Sequence, residues 1–149
     1  MMKIFYSGIF CLLACKSLPA QNGGNSGREI WIADSTMSSL AADIGFNSAV
    51  LRYADSTMVK LSEGKPPIIG LQNFATSFDP LHDIKTIAWS PQFAEVAKSG
   101  ELGYTWGTWK LNLQDTIHYG KYFTVWKKNQ RGAWKVVLDG GNSGPGPGN

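Results

Sequence analysis

Three residues in the second half of the chain carry side chains able to move a proton or hold a ligand oxygen: Asp139, Tyr104 and Tyr122. Asp139 follows Leu138 at the end of an apolar run, where a carboxyl facing a cavity would suit proton transfer. The same carboxylate could equally accept from a neighbouring loop amide. Tyr104 and Tyr122 sit in aromatic segments and can each donate a hydrogen bond to a ligand oxygen. Around them, Trp31, Trp89, Tyr104, Trp106, Tyr122 and Trp126 are expected to line a pocket. Each has a polar atom that needs a partner when buried, which suits a cavity wall better than a sealed core.

Other reactive-looking residues point to structure instead. Asp55 precedes Ser56-Thr57, where its carboxylate can satisfy free backbone amides in a turn. His82 and His118 stand apart from carboxylates at ligand spacing, so no metal site is expected. No phosphate-cradling glycine loop, nucleophile elbow or Cys/His cluster occurs, and no cofactor is expected. The net charge of +3 is scattered. Lys127-Lys128 with Arg131 reads as a solvated hairpin tip, and no nucleic-acid partner is expected.

The elements that must position these residues follow from pattern. Leu102 to Asp139 holds four of the six tryptophans and reads as consecutive antiparallel strands at 102–112, 122–128 and 134–138. Asn129 to Gly132 is the hairpin loop between the last two. Along the first strand, Leu102, Tyr104, Trp106 and Thr108 share one face, and Thr105, Trp109 and Leu111 share the other with Gly103 and Gly107. Both faces carry aromatics, so helices must cover one and a second subunit could cover the other. The two glycines mark a bend, a bulge or a close approach.

Upstream, Ile30, Ala33, Met37, Leu40, Ala41 and Ile44 recur at three- and four-residue steps, which predicts an amphipathic helix stopped by Gly45. Asn47 is placed to cap a second helix over 48–54, and Thr57 to Leu61 is a short strand. A third helix is expected over 69–78, then strands over 84–89 and 93–98 separated by Ser90-Pro91. With 149 residues the chain has room for one domain. The order of helices and then a long meander is α+β.

The ends read differently. Lys3 followed by the apolar run Ile4 to Ala14, too short for a permanent membrane span, makes 1–20 an export signal. Leu12-Leu13-Ala14-Cys15 matches a bacterial lipobox, which would make Cys15 the lipidated first residue. Ordinary cleavage after Ala20 is the alternative. The expected address is a periplasmic or outer-membrane lipoprotein, touching membrane only through a lipid on Cys15, or a secreted protein. Both cysteines lie in this segment, leaving the body without a thiol. Residues 21–27 read as a flexible leader, 28–139 as the folded domain and 140–149 as a disordered Gly/Pro tail.

Several residue groups together resemble the SnoaL-like, domain-of-unknown-function 4440 branch of the nuclear transport factor 2-like superfamily. They are Gly45-Phe46, Tyr53-Ala54-Asp55, Ile69-Gly70, Trp89-Ser90-Pro91, Ser99 to Tyr104, Gly107, Tyr122, Val125 to Lys128 and Gly132 to Asp139. The resemblance spans about Arg28 to Asn142. It implies a cone, in which a strongly curved sheet wraps around the helices and leaves an apolar pocket, often within a homodimer. Members include isomerases, dehydratases, hydrolases and proteins without known chemistry, so fold alone does not name a reaction. Aligned on Tyr53-Ala54-Asp55, the general-base position of the ketosteroid isomerases falls on Leu61, which cannot accept a proton. The Asp-Arg-Asp set of the epoxide hydrolases has no counterpart. The leading expectation is therefore a module that binds a small apolar molecule. An isomerase, dehydratase or hydrolase using Asp139 with Tyr104 or Tyr122 is the first alternative, and a structural dimerisation module is the second.

Overall fold

The computed structural model describes residues 24–146, with side chains from Gly27 onward. Residues 1–23, on which the expected export signal and Cys15 fall, and residues 147–149 lie outside that range. Two helices open the chain, α1 (Gly24–Ile44) and α2 (Phe46–Tyr53), followed by β1 (Ala54–Lys60), β2 (Ile68–Ile69), α3 (Leu71–Ala75) and a 3-10 turn at Pro80–His82. Four long strands complete it: β3 (Ile87–Val96), β4 (Leu102–Leu113), β5 (Thr116–Lys128) and β6 (Trp134–Gly144). They form one six-stranded curved sheet in the order β2-β1-β6-β5-β4-β3. All neighbours are antiparallel except β1 and β6, which run parallel.

Helix α1 forms for the reason its period suggests. Ile30, Met37 and Ala41 are buried on one face, and that face also buries the polar residues Asp34 and Ser38. Ser38 explains how the helix is docked. Its hydroxyl donates to the carbonyl of Trp89 at 2.7 Å and accepts from the Trp89 amide at 3.0 Å. Because β3 is a sheet edge with unpaired backbone groups, this exchange ties the helix to the strand and blunts the edge. Gly45 ends α1 with φ of 99°, a conformation that side chains resist, and hands the chain directly to α2. The α2 cap is Asp83 rather than Asn47. Its carboxylate accepts from the Asn47 amide at 3.1 Å, the Ser48 amide at 2.7 Å and the Asn47 side chain at 3.0 Å.

Packing between β4 and β5 on the inner face sets each aromatic residue against a glycine and the two threonines against each other. Gly103 pairs with Trp126, Thr105 with Thr124, Gly107 with Tyr122 and Trp109 with Gly120. At Gly107 an added Cβ would collide with the Ser90 carbonyl and stand 2.9 Å from the Tyr122 ring, so only glycine lets Tyr122 lie there.

Several expected boundaries are corrected. Helix α1 starts at Gly24, so 24–27 of the leader belongs to the folded body, where a Cβ added at Gly27 would stand 3.4 Å from the Ala94 carbonyl of β3. The two strands expected over 84–89 and 93–98 are one strand, with Pro91 absorbed at a register shift between Pro91 and Phe93. The predicted third helix shrinks to five residues. The tail begins later than composition suggests. Gly140 to Gly144 continue β6 and pair with Phe123 to Tyr119, because β5 itself begins at Thr116, six residues before the strand expected over 122–128.

Candidate functional site

Register alone assembles the polar part of the site. Lys60 on β1 pairs with Asp139 on β6, Asp139 with Thr124 on β5, and Thr124 with Thr105 on β4. Residues opposite one another across a ladder point to the same face, so four polar side chains form a row across the inner surface of the sheet. Lys60 Nζ donates to Asp139 Oδ2, and Thr124 Oγ1 donates to Asp139 Oδ1 at 3.0 Å. Thr105 Oγ1 accepts from the Trp126 indole N–H at 3.0 Å. The Lys60 ammonium also lies 4.6 Å from the centroid of the Phe46 ring, a cation–π contact supplied by the first residue of α2.

A second carboxylate, Asp34, projects from α1 into the same interior. Its two oxygens accept from the Trp89 indole N–H at 2.7 Å and the Tyr122 hydroxyl at 2.8 Å. No cation contacts it among the described residues, and this shapes its protonation. Burial pushes the Asp34 carboxyl above the usual carboxylate range; hydrogen bonds from Thr105, Trp89 and Tyr122 oppose the rise, and the negative charge of Asp139 adds to it. Tyr122 is pushed upward too, first by burial and then by the charge of Asp34, so its hydroxyl stays protonated at any physiological pH.

Of these groups, Lys60, Asp139, Tyr122, Trp89 and Phe46 border a cavity of about 370 Å³, and Asp34, Thr105, Thr124 and Trp126 lie behind them. Met37, Phe46, Val50, Ile84, Ile87, Trp89 and Trp109 form apolar walls, with Lys60, Tyr122 and Asp139 among them. Leu61, Ser62, Glu63, Lys65, Asn142 and Ser143 stand at its more exposed border. The volume and mixture suit a small organic molecule held mainly by apolar contact and oriented by a few polar groups. Among the described residues no three His, Cys, Asp or Glu side chains gather at metal-binding spacing.

The structure sorts the sequence-derived candidates. Asp139, Tyr122 and Trp89 line the cavity together. Trp126 is on the inner face but fully buried in the core, edge-on to Tyr53, and does not border the cavity. Tyr104 and Trp106 are on the opposite face of β4, 40% and 41% exposed, and Trp31 is 39% exposed on α1. Tyr104 donates its hydroxyl to the exposed Glu95 at 2.9 Å, so it cannot act with Asp139. Asp55 accepts from Thr57 and Ser56 in a local turn. His82 contacts Asp79 on the surface and His118 is exposed on β5. Leu61 does border the cavity, and its amide donates to the Asp139 carbonyl. Two buried charged-type residues at the candidate site went unread. Asp34 falls four residues after Ile30 on the apolar period of α1, and Lys60 sits within a short strand; a charged residue at an inward position was the available signal.

No protein-family model and no curated protein sequence matches the chain. Solved structures do. An NTF-2 like protein of unknown function from Shewanella oneidensis MR-1 superposes with TM-score 0.62 at 14% identity, covering 76% of this chain and 96% of that one. A domain of unknown function with a cystatin-like fold from Nostoc punctiforme gives TM-score 0.63 at 14% identity over 85% and 82% of the two chains. A putative scytalone dehydratase from Novosphingobium aromaticivorans gives 0.62 at 12% identity over 79% and 83%. At these identities the likeness concerns architecture: the chain has the nuclear transport factor 2-like fold, its helices packed in a cone-shaped, strongly curved sheet.

Proposed function

We propose that the protein is an exported binding module whose cavity holds a small, mostly apolar molecule. The observation that carries this reading is the cavity itself: about 370 Å³, walled by aromatic and aliphatic side chains. Each of its buried side-chain polar atoms already has at least one hydrogen-bond partner, so a mostly apolar guest leaves no such atom wholly unpaired. Thermal denaturation of the purified protein against sterols, polyketides and other apolar metabolites tests it. A guest present at a hundredfold over its Kd should stabilise the fold by about 2.7 kcal/mol. Absence of any shift under saturating guest would sink the reading. Export rests on the Met1 to Ala20 pattern, and the lipid on Cys15 is tested by labelling cells with a palmitate analogue.

An enzyme of the isomerase, dehydratase or hydrolase type is the second reading, favoured by Asp139 and Tyr122 facing one cavity. Two fold neighbours carry such names in their descriptions, a putative ketosteroid isomerase from Parabacteroides distasonis and the putative scytalone dehydratase. Asp139 is bonded to Lys60, and the Tyr122 hydroxyl donates its hydrogen bond to Asp34, so neither is free as a base or donor until a substrate displaces a partner. Asp139→Asn should abolish turnover in protein that circular dichroism shows to be folded if this reading holds; unchanged turnover dismisses it.

The outer sheet face supports self-association. Phe93, Leu102, Tyr104, Trp106 and Phe123 are exposed there on adjacent strands, a contiguous apolar surface of the kind that subunits cover. Mass measurement in dilute solution is the test.

A further inference from the structure

With the cavity taken as the binding pocket proposed above, its polar groups also say what kind of molecule it would select. Among the buried side chains that line it, three can donate a hydrogen bond: Trp89, Tyr122 and Lys60. Trp89 and Tyr122 both direct their N–H and O–H to Asp34. An ammonium has three N–H groups, and Lys60 gives one to Asp139 while the Phe46 ring covers another side. Lys60 is thus the buried lining group with donor capacity left for a guest.

Charge narrows the choice further. Lys60 and Asp139 neutralise one another, so the pair attracts neither ion outright. A guest carboxylate approaching Lys60 would meet Asp139 beside it and Asp34 behind Tyr122 and Trp89. A guest amine would have to displace Lys60 from Asp139. Either ion also surrenders its hydration to apolar walls without a counter-charge of its own. A neutral acceptor avoids both costs.

The geometry points to a neutral guest with an apolar skeleton and one hydrogen-bond-accepting oxygen, a ketone, lactone or ether, held by Lys60 Nζ. Lys60 is then a specificity-determining residue and Asp139 the group that positions it.

The test uses one bicyclic skeleton in four forms: tetralin, 2-tetralone, 2-aminotetralin and tetralin-2-carboxylate. Ligand-observed NMR on the full-length protein gives a Kd for each. The ketone should bind about tenfold or more tighter than the hydrocarbon, as expected for a hydrogen bond from a charged donor. The amine and carboxylate should bind no better than the hydrocarbon. In the double variant Lys60→Met with Asp139→Leu, which removes both charges and both polar groups together, the ratio of ketone to hydrocarbon affinity should fall to about one. Equal binding of ketone and hydrocarbon to the unaltered protein, or tightest binding by either ion, overturns this assignment and leaves the cavity reading standing. Binding of none of the four overturns both. The ranking on the unaltered protein decides the matter even if the double variant does not fold.

Discussion

The molecule buries two carboxylates a short way apart and satisfies them by opposite means. Asp139 faces a cation on the neighbouring strand and a threonine hydroxyl on the next. Asp34 receives neutral donors, an indole and a phenol among them, and no cation among the described residues. The first arrangement holds a charge pair whose worth depends on both members. The second holds a lone carboxyl whose protonation responds to its surroundings. The contrast teaches that the polar groups of this core have separate roles. Asp34 locks Trp89 and Tyr122 in place behind the wall, and Asp139 holds Lys60 toward the cavity.

The sharpest way to break that contrast is to strand one member. Lys60→Met leaves Asp139 buried without its cation and should cost about 3–5 kcal/mol by urea denaturation. Lys60→Met with Asp139→Leu should recover most of the loss. A single variant as stable as the unaltered protein would show that the pair carries little, and the difference between the two carboxylates would vanish.

Asp34 should show a smaller effect and a different pH signature. Asp34→Ala leaves the Trp89 and Tyr122 donors unpaired and should cost about 2–4 kcal/mol. For pH, the folded-state value lies above the unfolded one, so between the two the folded protein holds the extra proton. Stability therefore falls as pH rises through that window, with a limiting slope of about 1.4 kcal/mol per pH unit. Asp34→Asn should remove this slope, read from denaturation midpoints across the acid range. A slope unchanged by the substitution would mean that Asp34 is not its source.

The outer sheet face provides the control and the smallest effect. Tyr104→Phe removes only a hydrogen bond to an exposed glutamate and should shift monomer stability by less than about 0.5 kcal/mol. A loss comparable to that of Asp34→Ala would place Tyr104 in a buried environment and contradict the sidedness of β4.

Much of this was legible in the chain. The period of α1, the Gly45 break, the Asn129 to Gly132 hairpin and the alternation along β4 all follow from local chemistry, as did the inclusion of Asp139, Tyr122 and Trp89 among the candidates. The sidedness of β4 was not readable from hydrophobicity, because Trp109 lies on one face and Tyr104 and Trp106 on the other. The better signal was Gly103 and Gly107. Small residues stood on the face where the partner strand inserts Trp126 and Tyr122. Ring size favoured the wrong face; the gaps marked the right one. The strand in Gly140 to Gly144 was hidden because a glycine-rich composition says nothing about a partner that supplies the side chains. The Lys60 to Asp139 row depends on the parallel register of β1 and β6, a long-range choice that no local window encodes.

That one parallel pairing has a consequence for the order of assembly. Lys60 and Asp139 lie 79 residues apart in the chain, and β6 is the only strand that joins β1 to the rest of the sheet among the described residues. A nascent chain that has emerged only as far as Arg131 possesses the helices and the β3 to β5 meander but neither the clasp for β1 nor the anion for Lys60. Completion of the Lys60 end of the cavity thus waits for β6, and closing so long a loop is the step that topology makes slow.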